Sequence, residues 1–137
     1  MVTKISKKNF RKLLDELNIS STLTDDGFIK VLLNADKDFG YDVVIIFDVE
    51  EDTGELTGLS STPGHDFDIP DKDLAQAYII CNEWNRTHII NAYVSGNSFW
   101  TRYEVFNDEP VSENFIKENF IKICTAGSWQ FYCSLVK

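Results

Sequence analysis

The chain has 137 residues, 43% of them hydrophobic, with ten Phe, five Tyr and three Trp against seven Gly and three Pro. That composition suits one domain over residues 1–137 that buries about two thirds of its unfolded surface, and it excludes a low-complexity or disordered chain. The formal charge is −9, and five of the thirteen basic groups (Lys4, Lys7, Lys8, Arg11 and Lys12) crowd into the first twelve residues, leaving 8 basic against 22 acidic side chains beyond them.

A body of that sign repels phosphate and anionic headgroups, which argues against nucleic-acid and membrane partners. The longest aliphatic run, Val43 to Phe47, is far too short to cross a bilayer. Lys7, Lys8, Arg11 and Lys12 stand where a signal peptide would need its apolar core. Cys81, Cys124 and Cys133 form no Cys-x-x-Cys pair and are odd in number, the usage of buried thiols in a reducing, cytoplasmic setting.

Phe10, Leu13, Leu14 and Leu17 recur at helical spacing, so the stretch from about Lys4 to Asn18 is predicted as an amphipathic helix with a basic outer face. Its cationic first turn opposes the helix dipole. Strands are predicted from Phe28 to Leu33, from Val43 to Val49 and, after a turn at Thr53-Gly54, from Leu56 to Ser60. The continuous Val-Val-Ile-Ile-Phe of the middle strand predicts burial on both of its faces. Pro63-Gly64 and Pro70 bracket a loop, Asp71 is the expected N-cap, and Leu74, Ala77, Tyr78, Cys81 and Trp84 mark a second helix. Ile89 to Val94 and Phe99 to Phe106 read as a hairpin turned by Ser95-Gly96-Asn97. Ser112 caps a last helix carrying Ile116, Phe120, Ile123 and Cys124, and Gly127 is a point where that helix ends or kinks.

Candidate chemistry is sparse. Asp36-Lys37-Asp38-Phe39-Gly40-Tyr41-Asp42 alternates carboxylates as a calcium loop does, but a glycine occupies a ligand position and Phe47 stands where the bidentate Glu belongs. Asp48, Glu50, Glu51, Asp52 and Glu55 crowd the next turn, the pattern of a solvated acidic loop. His65-Asp66-Phe67-Asp68 holds ligand-type residues, yet His88 is the only other histidine and no chelating spacing links them. Cys81 and His88 lie about 10.5 Å apart along a helix, and Cys124 and Cys133 about 13 Å, too far for a catalytic pair or a disulfide. No phosphate-binding glycine loop or nucleophile elbow is present. No catalytic residue, metal or cofactor is therefore assigned, and a non-enzymatic role is expected.

Asn82, Trp84 and Asn85 stand in Asn82-Glu83-Trp84-Asn85, a helix ending that runs almost directly into the strand at Ile89 to Val94. Asn85 is expected to stop the helix in a left-handed conformation and bond nearby backbone, while Trp84 continues the apolar stripe into the core. This ending resembles the signature of the YbjN family, whose second helix closes on an "xNxxN" pattern. The resemblance implies an α+β single domain in α-β-β-β-α-β-β-α order, with an antiparallel sheet packed by helices, shared with type III secretion chaperones. Those are small acidic cytosolic dimers that hold an extended segment of a partner protein. It further implies a homodimer built at the second helix and following strand, through Leu74, Tyr78, Cys81, Ile89 and Tyr93, with partner segments anchored in grooves or paired at an open sheet edge. The expected function is thus a non-enzymatic, chaperone-like or regulatory protein-interaction domain with a protein partner. The alternative is an acidic neutralising protein of the immunity type for a basic partner; a small-molecule or metal-dependent enzyme stands third.

Overall fold

The computed structural model describes residues 5–34, 40–63, 67–106 and 111–136. The expectations for Lys4, for Asp36-Lys37-Asp38-Phe39 and for His65-Asp66 fall outside the described residues. Helix α1 spans Lys7–Glu16, and its start is closed twice. The Ser6 hydroxyl accepts from the Asn9 N–H at 3.1 Å, and the Lys7 N–H donates to the Glu51 carboxylate at 2.7 Å. A glutamate from the acidic turn thus supplies the negative charge that the basic first turn lacks. Phe10, Leu13 and Leu14 are buried. The left-handed asparagine follows this helix: Asn18 has φ 61.

Among the described residues six antiparallel strands follow in place of the five expected: β1 Ser21–Leu23, β2 Ile29–Leu33, β3 Val43–Val49, β4 Leu56–Ser61, β5 Asn91–Ser95 and β6 Ser98–Val105. Their order across the sheet is β1-β2-β3-β4-β6-β5. The unforeseen strand β1 is only three residues long, and its turn forms through the Thr24 N–H donating to Phe28 O at 2.8 Å. In β3, Val43, Ile45, Phe47 and Val49 are buried while Val44, Ile46 and Asp48 are only half-buried. One face of the strand is therefore fully covered and the other is not, which corrects the expectation of burial on both faces.

Helix α2 covers Leu74–Thr87 after a 3₁₀ turn at Asp71–Asp73. The last helix begins at α3, Glu113–Ile116, where the Ser112 hydroxyl accepts from the Phe115 N–H as expected. It passes through a π turn at Lys117–Ile121 and continues as α4, Lys122–Leu135. Phe10, Phe47 and Phe120 meet with ring centroids 5.1 to 6.0 Å apart, joining α1, β3 and the π turn. The aromatic tail after Trp129 is core: Phe131 and Tyr132 are fully buried. The Tyr132 hydroxyl hydrogen-bonds to the carbonyls of Ser60 and Phe99 at 3.0 and 3.1 Å, bridging β4 and β6 where their ladder ends.

Gly127 does not end the helix, which runs on to Leu135. A glycine inside a helix costs about 1 kcal/mol relative to alanine, and here it permits close approach, since a Cβ would lie 3.0 Å from Ile90 Cγ2. Gly58 of β4 is tighter still: a Cβ there would meet Cys124 Sγ at 2.6 Å. Gly58→Ala is expected to lower stability by about 1–3 kcal/mol through overpacking, and adding Cys124→Ala, which removes the clashing sulfur, to recover part of that loss. Denaturant unfolding of the two single variants and the double variant measures the coupling; simple additivity would contradict the contact.

Candidate functional site

Three bonds place the approach to α2. The Ile69 N–H donates to Asn97 O at 2.7 Å, and Asn97 Nδ2 donates to Ile69 O at 2.6 Å and to Asp71 Oδ1 at 2.9 Å. Asp71 is thus tied to the tip of the β5–β6 hairpin and does not cap the helix. Ala77, Cys81 and Trp84 face the core, Leu74 is half-buried, and Tyr78 and Ile79 are 53% and 52% exposed. Of the residues expected at a dimer surface, Tyr78 and Ile89 lie outside, Tyr93 is half-buried on β5, and Cys81 is buried. Cys81 is withdrawn from that surface because its thiol packs inward.

Trp84 and Asn85 join α2 to β5. Asn85 remains helical, so it does not stop the helix by a left-handed turn; the chain leaves through His88 in extended conformation at φ −131, ψ 149. Its carboxamide instead lies alongside Ala92, donating from Nδ2 to Ala92 O at 2.9 Å and accepting at Oδ1 from the Ala92 N–H at 2.7 Å. Trp84 Nε1 donates to Ile90 O at 3.1 Å. Its indole meets Phe131 with centroids 5.2 Å apart and stacks on the parallel His88 ring at 3.5 Å. His88 Nδ1 sits 3.0 Å from Trp84 O, a bond that requires the Nδ1–H tautomer because a carbonyl only accepts. The helix-to-strand motif is therefore a seam of side-chain-to-backbone bonds. Asn82 lies outside it, exposed on the helix.

That seam closes a sheet edge. Strand β5 is outermost, and the backbone groups of Ile90 and Ala92 that bond Trp84 and Asn85 face away from β6. At the opposite edge, Arg11 of α1 donates from Nη2 to Ser21 O at 3.0 Å and from Nε to Ser21 Oγ at 3.1 Å. Both edges thus carry a side chain where an added strand would pair, which works against the expected main-chain pairing of a partner.

The outer sheet face is different. The helices pack on the side of Ile29, Ile45, Phe47 and Leu56 or stand at the β5 edge. The other face carries Leu32, Val44, Ile46, Leu59, Tyr93 and Trp100, with Leu32 48% exposed and the others half-buried. Lys30, Ile46, Leu59 and Arg102 share one register row across β2, β3, β4 and β6, and Asp48, Thr57 and Glu104 share the next. Strand pairing carries this pattern across elements distant in sequence, so no single stretch of the chain announces it.

Two clefts flank α4. One of about 560 Å³ is lined by Asn18, Ile19, Leu32, Leu33, Thr125 and Trp129, with no titratable side chain among its lining. The other, about 330 Å³, includes His88, Ile89, Lys122 and Gln130. Cys81 and Cys124 are buried free thiols, and Cys133 is half-buried. Among the described residues no group of three or more His, Cys, Asp or Glu is placed to hold a metal, and no helix is long and apolar enough to cross a membrane.

Burial pushes the Cys81 thiol up to about 11 from 9.0, raises Cys124 further, and raises the Tyr132 phenol against the opposing effect of its Ser60 hydrogen bond. Each folded-state value lies above the unfolded one, so the neutral form contributes stability that is intact below about pH 9 and lost as pH climbs through the folded values. The melting temperature is expected to hold to about pH 9 and fall steadily above it. Replacing Asn85 by Ala should cost about 1–3 kcal/mol, because it leaves the Ala92 N–H and C=O unbonded by this seam. Asn85→Asp, which keeps the acceptor and loses the donor, should also destabilise, with the loss easing as pH falls and the carboxyl regains a proton. Equal stability of Asn85→Ala and the parent in urea would contradict the seam.

No family model matches the chain, and no curated protein matches it. Among solved structures its fold matches the crystal structure of YbjN from E. coli, described provisionally as a transcription regulator, with a TM-score of 0.72 and 9% identity over 98% of this chain and 93% of that one. The chain therefore has the YbjN fold: a mixed α+β domain of three helices, counting α3 through α4 as one, on a six-stranded antiparallel sheet among the described residues.

Proposed function

We propose that this protein is a non-enzymatic protein-interaction domain, chaperone-like or regulatory, that acts as a homodimer. The observation that carries the reading is exposed apolar surface on one element: Tyr78 and Ile79 on the outside of α2 and Ile89, at 72%, at its exit. Surface of this kind marks association sites when it is contiguous. The YbjN neighbour is described as a regulator, and a chain of charge −9 is poorly suited to phosphate contacts, so a regulatory role here runs through a protein. The dimer surface is Leu74, Tyr78, Ile79, Ile89 and Tyr93, without Cys81. A second reading, neutralisation of a basic partner, draws on the 22 acidic against 13 basic residues and requires an association rate that falls steeply with salt.

Tyr78 and Ile79 are exposed, so replacing both with Glu should leave the fold intact and separate the dimer. Sedimentation equilibrium is expected to give two chains for the parent and one for Tyr78→Glu/Ile79→Glu, with melting temperatures within about 2 °C. A double variant that keeps the dimeric mass would overturn this surface, and a monomeric parent the dimer itself.

A further inference from the structure

We infer that the outer face of the sheet is a docking surface for an amphipathic helix of a partner protein, one whose apolar stripe is bordered on both sides by carboxylates. The inference rests on the protein-interaction reading and assigns it a second surface, centred on β3 and β4 and meeting the dimer surface at Tyr93 on β5.

The register row Lys30, Ile46, Leu59, Arg102 sets a cation on each side of two aliphatic side chains. Lys30 and Arg102 stand on β2 and β6, three strand spacings apart, so their backbones are separated by about 14 Å. A helix is about 10–12 Å across with its side chains and fits between them when it lies along β3 and β4. Its apolar stripe would rest on Ile46, Leu59, Val44 and Trp100, and its shoulders would meet the two cations. Strand β3 has seven residues, about 23 Å, which matches about 15 helical residues. The neighbouring row fixes polarity. Asp48 and Glu104 bound one end of the face, and a helix N-terminus, with its partial positive charge, belongs there. Glu104 also pairs with Arg102 at 2.7 Å, holding that guanidinium beside the channel.

A second copy of the chain centred on the same row fits this face badly. A two-fold axis centred on the Lys30–Arg102 row and lying in the interface plane sets cation opposite cation, whether it runs along or across the strands. Among the chain's own helices, α1 carries Lys7, Lys8, Arg11 and Lys12, the wrong sign for the shoulders. The acidic excess elsewhere on the molecule is screened within about 8 Å at physiological salt, so the two cations at the channel govern contact there.

The test uses the full chain and two synthetic helical peptides of about 15 residues, identical in their leucine stripe, one with Glu and one with Lys on both shoulders. Fluorescence anisotropy is expected to show the Glu peptide binding about five-fold tighter or more. Amide shift changes in two-dimensional NMR should fall on Leu32, Val44, Ile46, Leu59 and Trp100. Lys30→Glu, an exposed change that should leave the fold intact, is expected to remove or reverse the preference. Equal affinity for both peptides, shifts confined to α2 or to the clefts beside α4, or no binding of either would each overturn the sheet-face assignment. The dimer surface is tested independently by mass, so such a failure is distinct from failure of the interaction reading.

Discussion

A sheet covered by helices on one side presents other chains with two strand edges and one bare face, and the edges are the more hazardous because any extended segment can pair with them. Here Asn85 settles the β5 edge. Its carboxamide has the donor and acceptor of a peptide group, and it meets both the N–H and the C=O of Ala92, so it occupies the place of one residue of a seventh strand. Trp84 takes the Ile90 carbonyl beside it. The same contacts fix how α2 stands against the sheet. With Ala77, Cys81 and Trp84 turned inward, Tyr78 and Ile79 have to point away. The closure of one edge and the exposure of an apolar helix face are therefore one event.

Charge follows a similar economy. The basic α1 and the acidic β3–β4 turn are complementary within the chain. Exposed ion pairs such as Lys122–Glu118 contribute little to stability, whereas Glu51 bonds a helix N–H that has no partner within its helix. Arg11 likewise works through its planar fork, which reaches Ser21 twice and closes the β1 edge. Most of the chain's acidity stands elsewhere in the sequence. The outer sheet face stands apart from it, with two cations balanced by two carboxylates around an apolar centre.

Most elements were legible because their periodicities are strong. The helical spacing of Phe10, Leu13 and Leu14, the run Val43 to Val49 and the cap at Ser112 each located an element to within a few residues. Strand β1 was missed because three residues give no periodicity, and its pairing depends on a turn whose bonds are visible only in three dimensions. That the helix continues through Gly127 was not legible, because intrinsic propensity counts its cost and not the Ile90 side chain that needs the space. Asn85 was recognised as a backbone-bonding residue next to a strand, but the left-handed stop fell to Asn18, after α1. The same side-chain chemistry serves either purpose, and only the distance to a strand edge decides between them. The outer face was illegible for a more general reason: its rows run across four strands, so its pattern exists only once register is set.

Burial also decides what the ionisable groups of the core can do. Catalysis at neutral pH calls for an ionisable group held near its working pKa beside a cleft. The groups whose protonation burial shifts most here are Cys81, Cys124 and Tyr132, and in each the shift runs away from ionisation and toward a permanently neutral core group. The larger cleft beside α4 is lined by amides, hydroxyls and hydrocarbon. At the surface, apolar side chains stay exposed on α2, and the sheet face keeps a half-buried apolar centre between charged residues. That combination can discriminate partners through where charges stand relative to an apolar stripe, and such discrimination needs no reacting group at all.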